Sequence, residues 1–150
     1  MTVMKKIRLK IITPERVLLE SEVDSVSVPT QMGEITILPN HIPLVANLAP
    51  GELKISGHDD SRLLSVAGGV IEIRQGNEIV VLADAAEEAH EIDMKRAEEA
   101  RARARKIMSE QTLSDEEYAA TAATLEKSLT RLRVARKGKY RNIRTPESIQ

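Results

Sequence analysis

The sequence predicts a β + α protein, in which an N-terminal antiparallel β-sandwich precedes a C-terminal antiparallel two-helix hairpin. Up to about Ala83, short apolar stretches with period two are separated by turn residues. Beyond it, Ala, Glu, Arg and Leu recur at helical spacing. The change of pattern predicts a sandwich domain over residues 1–87, a helical hairpin over residues 88–138 and a flexible basic and polar tail over residues 139–150.

Seven segments of the first half alternate apolar and polar side chains, as in strands with one buried face. Their apolar residues are Ile7/Leu9/Ile11, Val26/Val28, Ile35/Ile37, Leu53/Ile55, Leu64/Val66, Ile71/Ile73 and Ile79/Val81. Turn residues separate most of them, at Thr13-Pro14, Pro50-Gly51, residues 57–60, Gly68-Gly69 and residues 75–77. Many short strands with no helical window between most of them favour an antiparallel sandwich or barrel.

The second half predicts two helices with narrow apolar stripes. The first stripe is Met94, Ala97, Ala100, Ala104 and Ile107, and the second is Tyr118, Ala122, Leu125, Leu129, Leu132 and Ala135. Ser114 and Glu117 form a capping box that starts the second helix, and Gly138 is expected to end it. One interpretation is a hairpin folded permanently onto the sandwich. Ala-rich stripes bury little apolar area, however, which favours a hairpin held weakly enough to change its packing.

Composition excludes several classes of protein. The chain has no Phe, no Trp and no Cys, which argues against base stacking on aromatic side chains, disulfides and thiol catalysis. No apolar run approaches the ~20 residues of a membrane span, and the first twelve residues lack the apolar core of a signal peptide. The expected location is therefore the cytosol or the cytosolic face of a membrane.

Charge and histidine content give two further indications. Residues 127–144 carry eight basic side chains and no acidic one, more than one helix end needs, which favours an acidic partner surface. The three histidines, His41, His58 and His90, are not at metal-ligand spacing, and no catalytic motif is present, so no enzyme is predicted. A basic nucleic-acid-binding adaptor and a small β-barrel metal enzyme remain as alternatives.

Several motifs carry a resemblance to a known family. They are residues 33–44 (GEITILPNHIPL), Ala49-Pro50-Gly51, Gly68-Gly69-Val70, residues 80–84 (VVLAD) and residues 92–97 (IDMKRA). Together they resemble the epsilon subunit of bacterial F-type ATP synthase over about residues 5–137. The resemblance implies a sandwich of about ten strands in a non-catalytic subunit of the central rotor stalk, which couples ion translocation through the c-ring to ATP synthesis. It also implies a peripheral location on the cytoplasmic face of the bacterial inner membrane.

The same resemblance assigns partners and site residues. Glu34 and His41, the latter between Pro39 and Pro43, would face the gamma subunit and the c-subunit ring. The hairpin would inhibit ATP hydrolysis when it extends toward the α and β subunits of F1, with no nucleic-acid partner. The basic side chains that would meet those subunits are Arg131, Arg133, Arg136 and Lys137.

A candidate site for regulatory ATP is the last implication of the resemblance, and no other cofactor or metal is expected. Its residues would be Ile92, Asp93, Arg96, Ala97 and Arg103. By chemistry, Asp93 would accept from ribose or base while Arg96 and Arg103 meet phosphates. The alternative is that Asp93 only caps the first helix and Arg96 is surface.

Overall fold

The computed structural model describes residues 5–57 and 61–144, and the side chains up to residue 138. The chain divides into two compact units, the first ending at Glu87 and the second beginning at Glu88. Within the described residues the strands are β1 (Ile7–Ile12), β2 (Val17–Val23), β3 (Ser25–Thr30), β4 (Gly33–Ile37), β5 (Leu44–Leu48), β6 (Gly51–Ser56), β7 (Ser61–Val66), β8 (Gly69–Arg74), β9 (Glu78–Ala83) and β10 (Ala86–Glu88). A 3₁₀ turn (Ala89–Glu91), α1 (Met94–Glu110) and α2 (Asp115–Arg144) follow.

The ten strands form one sheet, which confirms the predicted β + α fold and its strand number. Their order is β10-β7-β6-β3-β5-β8-β9-β1-β2, and β4 pairs with β3 outside this path. Neighbouring strands are mostly antiparallel, whereas β1 and β9 are parallel, with Leu9 opposite Ile79. No hairpin joins β1 to β9, so chain connectivity does not force an antiparallel direction on them.

The alternating segments all lie in strands, but the pattern did not reveal β2, β5 and β10. In β2 the buried residues Leu19 and Val23 are four apart, with Ser21 exposed between them. In β5 only Leu48 is buried, and the apolar residues Leu44 and Val45 are exposed. Neither strand has the buried and exposed alternation that period-two analysis detects.

The sandwich core consists of aliphatic side chains that lie at alternate positions along the strands and so share one face of the sheet, as Ile7, Leu9 and Ile11 of β1 do. Its largest fully buried members are Ile7, Leu9, Ile11, Val26, Val28, Ile37, Leu53, Ile55, Leu64, Ile71 and Ile79. Each buried side chain of this size contributes about 1.5–3 kcal/mol relative to an exposed one. The interior is thus built without aromatic side chains, as the composition requires.

The second unit is a pair of helices packed against each other. Ala97 and Ala104 of α1 are buried, as are Leu132 and Ala135 of α2. The capping box is present, because the Glu117 backbone N–H donates to Ser114 Oγ (3.2 Å) and the Ser114 N–H donates to Glu117 Oε2 (3.0 Å). Such a cap contributes about 1 kcal/mol to helix stability.

The predicted helix end at Gly138 is wrong, because α2 continues to Arg144. Gly138 instead allows α2 to approach the 3₁₀ turn closely, since a Cβ at Gly138 would lie 2.6 Å from the Ala89 Cβ. The first six residues of the predicted tail therefore continue the helix, while residues 145–150 lie outside the described part, as do residues 1–4 and His58.

The predicted stripe of α2 also needs one correction. Tyr118 is 52% exposed, because it lies in the first turn of the helix, among acidic residues. Thr130 and Val134, which the pattern did not include, are both buried. Together with Gly138 they are spaced by four residues, so α2 buries a second face in its C-terminal half.

Candidate functional site

The connection between β4 and β5 presents large apolar side chains to solvent. We call residues 38–43, between the two strands, the proline loop. Leu38 is 59% exposed and Ile42 is 75% exposed, and Val45 at the adjoining end of β5 is 67% exposed. A group of exposed apolar side chains in one segment is typical of a surface that binds another macromolecule.

Several interactions fix the shape of the proline loop. Pro39 and Pro43 restrict φ at two of its positions. Asn40 has a φ of 67°, and its backbone N–H donates to Asn77 Oδ1 at 2.6 Å. The His41 Nδ1–H donates to the backbone carbonyl of Ile42, also at 2.6 Å. The loop therefore presents its apolar side chains from a defined backbone.

Glu34 and His41, the residues predicted to face rotor partners, both lie in the sandwich. Glu34 is an exposed residue of β4, and its Oε2 lies 3.4 Å from Lys54 Nζ of β6. His41 is partly exposed within the proline loop. Lys54 and Asn77 could not be found from the sequence, because neither belongs to a motif and both come from other segments of the chain. The Gly76-Asn77 pair was visible only as a turn signal.

The predicted ATP motif lies at the start of α1. Asp93 is the N-cap, with Oδ1 accepting from the Arg96 backbone N–H at 3.2 Å, and Oδ2 lies 3.8 Å from Arg96 Nε. Ile92 and Ala97 are buried, so their side chains serve packing. The Arg96 side chain is 83% exposed. The capping alternative is thus observed, and it leaves the arginine side chain accessible.

Arg103 extends the exposed basic face of α1. It is exposed and lies seven residues after Arg96, close to two helical turns. The two side chains therefore leave the same face, about 10 Å apart along the axis. This separation is compatible with two groups that contact one extended polyphosphate.

The basic residues of α2 do not all share a face. Arg133, Arg136 and Lys137 are exposed, and the last two lie three and four residues after Arg133, so all three project from the same side. Arg133 Nη2 also donates to Thr130 Oγ1 at 3.4 Å. Arg131 is partly buried and lies on the opposite side of the helix. Only three of the four predicted residues can therefore meet one surface.

The outer face of β1, β8 and β9 carries paired charges. Arg74 lies 3.2 Å from Glu72 and 3.3 Å from Glu78, and these carboxylates, Glu72 foremost, raise the pKa of Arg74 above its ordinary value. Arg8 lies 3.7 Å from Glu78 on the other side. A shallow depression of about 290 Å³ beside this group has charged walls, typical of a solvated strand face.

Metal-binding clusters and membrane-spanning helices are features of other protein classes. Among residues 5–57 and 61–144, no three His, Asp or Glu side chains are grouped so that they could hold a metal ion. In the same residues no helix has the length and apolarity needed to cross a membrane.

The fold is that of a two-part chain, a ten-stranded sheet followed by two helices, with an exposed apolar loop on the sheet unit. A family model described as ATP synthase, Delta/Epsilon chain, beta-sandwich domain matches residues 6–89. A second, described as ATP synthase, Delta/Epsilon chain, long alpha-helix domain, matches residues 90–136. The ATP synthase epsilon chain of Dehalococcoides mccartyi is 43% identical over 134 residues, which cover 89% of this chain and 95% of the relative. That of Syntrophobacter fumaroxidans is 41% identical over 133 residues, covering 89% and 98%.

The chain belongs to the family of ATP synthase epsilon chains. The resemblance noted from the sequence is thereby confirmed, and so is the prediction of a non-catalytic subunit of ATP synthase. This assignment also removes the nucleic-acid adaptor and the metal enzyme as alternatives.

Solved structures show the same fold. One chain in the cryo-EM structure of the Euglena gracilis mitochondrial ATP synthase, OSCP/F1/c-ring in rotational state 1, matches with a TM-score of 0.75. It is 19% identical, and the match covers 93% of this chain and 84% of that one. A chain of the Tetrahymena thermophila central stalk and c-ring structure matches with a TM-score of 0.62 at 18% identity, covering 91% and 98%.

Proposed function

We propose that the sandwich docks on the gamma subunit and the c-ring of an ATP synthase, with the proline loop at the centre of the contact. The observation that carries this proposal is the exposure of Leu38, Ile42 and Val45 on one connected segment. Burying each such side chain against a partner contributes about 1.5–3 kcal/mol. Docking at the c-ring would keep the chain at the membrane surface, on the cytoplasmic face of the bacterial inner membrane.

Polar residues would set the register of this contact. Glu34 precedes the apolar side chains in sequence, His41 lies between Leu38 and Ile42, and Lys54 lies beside Glu34. An apolar centre with a polar rim is the usual arrangement of a protein interface. We expect the apolar side chains to supply most of the affinity and the rim to supply orientation.

Replacing Ile42 with serine tests this role of the proline loop. We expect the affinity for ATP synthase depleted of its own epsilon chain to fall at least about tenfold, because Ile42 loses the apolar area that it would bury. The measurement is a binding titration, alongside thermal unfolding of the free chain. Unfolding should change little, since Ile42 is 75% exposed.

Val17→Ser is the matched control. Val17 is 51% exposed and lies in β2, at the far end of the strand order from β10 and outside the proline loop. Its substitution should leave affinity within about twofold of the unsubstituted chain. Equal affinities for the Ile42 and Val17 variants would contradict docking through the proline loop.

The helix pair would regulate ATP hydrolysis through its packing. Its α1 side is held by small residues, Ala97 and Ala104, which bury little apolar surface. We propose a packed form that permits hydrolysis and an extended form that inhibits it. In the extended form Arg133, Arg136 and Lys137 would meet acidic surface on the α and β subunits.

ATP would favour the packed form by binding at the start of α1. Asp93 and the exposed Arg96 support this proposal, with Arg103 on the same helix face. Ile92 and Ala97, whose side chains are buried, would support the site by packing. A ligand at 100 times its dissociation constant for one form stabilises that form by about 2.7 kcal/mol. This shift is sufficient to change the balance of a weakly packed helix pair.

Calorimetric titration of the chain with ATP and Mg²⁺ tests the nucleotide site. We expect saturable binding that Arg96→Ala weakens at least about tenfold, because a charge-assisted bond to phosphate is lost. Asp93→Asn removes the carboxylate but keeps a side chain that caps a helix as well as Asp does. It therefore separates the capping role of Asp93 from a role in ligand binding.

Arg105→Ala is the control for net charge. Arg105 is exposed and lies nine residues after Arg96, on the opposite face of α1. Its loss should leave ATP affinity within about twofold. No binding at millimolar ATP, or the same loss in both arginine variants, would mean that residues 92–97 only start the helix.

A further inference from the structure

The loop between β4 and β5 depends on a residue from a distant part of the chain. Asn40, in the proline loop, has a φ of 67°, a conformation that Asn adopts more readily than most other non-glycine residues. Its backbone N–H donates at 2.6 Å to the side-chain oxygen of Asn77, 37 residues further along. This bond joins the middle of the loop to the turn between β8 and β9.

Asn77 is itself held by the sheet. It has a φ of 61° in a three-residue turn, next to Gly76 with a φ of 81°. Asn is one of the few residues that tolerate this region of φ. The Asn77 carbonyl accepts from the Arg8 backbone N–H at 2.8 Å, which joins the turn to β1. The Asn77 backbone, from which the side chain extends, is therefore held by β1 and lies in the turn between β8 and β9.

We propose that Asn77 is a positioning residue for docking, which fixes the proline loop in the shape that its partner binds. This inference rests on the proposed docking function of the loop. Without the bond the loop would keep its proline restrictions at either end but lose its central attachment. The partner would then have to order the loop, and that ordering reduces affinity.

The competing explanation is that Asn77 serves only its own turn and has no role in docking. Two substitutions distinguish the two explanations. N77G keeps the positive φ without strain but removes the side-chain acceptor. N77D keeps both the acceptor and the tolerance of positive φ. A purely local turn role would be served at least as well by glycine, whereas the positioning role requires the oxygen.

The experiment measures two quantities on the full chain. Hydrogen exchange at the Asn40 amide reports the bond directly and needs no partner. Binding to ATP synthase depleted of its own epsilon chain reports docking. We expect N77G to speed exchange at the Asn40 amide at least about tenfold and to weaken binding by about tenfold. N77D should keep both values within about twofold of the unsubstituted chain.

Ile42→Ser, measured in parallel, separates failure of this inference from failure of the docking proposal. If N77G speeds exchange but binds normally while Ile42→Ser binds weakly, docking through the loop stands and positioning by Asn77 is overturned. If Ile42→Ser also binds normally, the docking function is overturned and positioning for it falls as well. Unchanged exchange at Asn40 in N77G overturns the inference at its first step.

Discussion

Gly69→Ala should destabilise the sandwich by more than about 4 kcal/mol, a large part of the 5–15 kcal/mol typical of a domain. Gly69 has a φ of 128°, and a Cβ there would lie 2.1 Å from the carbonyl oxygen of Leu82 and 2.8 Å from Ala83 Cα. Both neighbours are backbone atoms of the paired strand β9, so neither can rotate away. Urea unfolding of the full chain measures the loss.

Gly33→Ala separates the close approach from the backbone conformation. Gly33 has a similar φ, 112°, but a Cβ there would have no atom within 4 Å. Its substitution should therefore show only the cost of the unfavourable φ, about 1–3 kcal/mol. A loss at Gly69 no greater than that at Gly33 would show that β8 and β9 can separate to admit a methyl group.

The strands that could be predicted from the sequence were all predictable for the same local reason. Where one face of a strand packs on the core and the other meets water, as at Ile7, Leu9 and Ile11, the period is visible in the residues themselves. It disappears in β5, where Leu44 and Val45 are both exposed. A strand that exposes neighbouring apolar side chains cannot show the pattern of a strand whose apolar side chains all pack in the core.

The candidate site was predictable where its residues are consecutive. The proline loop and the Asp93 cap were both visible as motifs, because a few neighbouring residues determine them. The bond from Asn40 to Asn77 was not, since it depends on the sheet order that brings β4, β5, β8 and β9 together. The separation of Arg131 from the other basic residues follows from helical spacing, and the structure adds that Arg131 is partly buried.

Gly138 shows how an isolated signal can mislead. Glycine near the end of a helical pattern usually marks its C-terminus, and the sequence supports that expectation. In the structure the helix continues, and Gly138 lies against Ala89 of the 3₁₀ turn. The missing side chain therefore serves packing between two elements of the second unit.

Gly138→Ala should weaken the packing of α2 against the 3₁₀ turn, although alanine is the better helix former by about 0.8–1 kcal/mol. The new Cβ would lie 2.6 Å from the Ala89 Cβ, where two carbons normally approach to ~3.5–4 Å. Both atoms are attached directly to backbone, so the elements must move apart, at a cost of about 1–3 kcal/mol. We expect faster hydrogen exchange in the 3₁₀ turn and stronger inhibition of ATP hydrolysis, because only the packed form contains the clash.

Transferring the methyl group tests that the clash is the cause. Ala89→Gly combined with Gly138→Ala restores the space between the two positions, so exchange and hydrolysis should return toward the values of the unsubstituted chain. The interaction free energy from the double-mutant cycle should exceed about 1 kcal/mol. If α2 stays helical in both the packed and the extended form, the gain in helix propensity stabilises the two forms equally. It therefore cannot produce this coupling. Additive effects of the two substitutions would show that α2 and the 3₁₀ turn do not meet at Gly138 in solution.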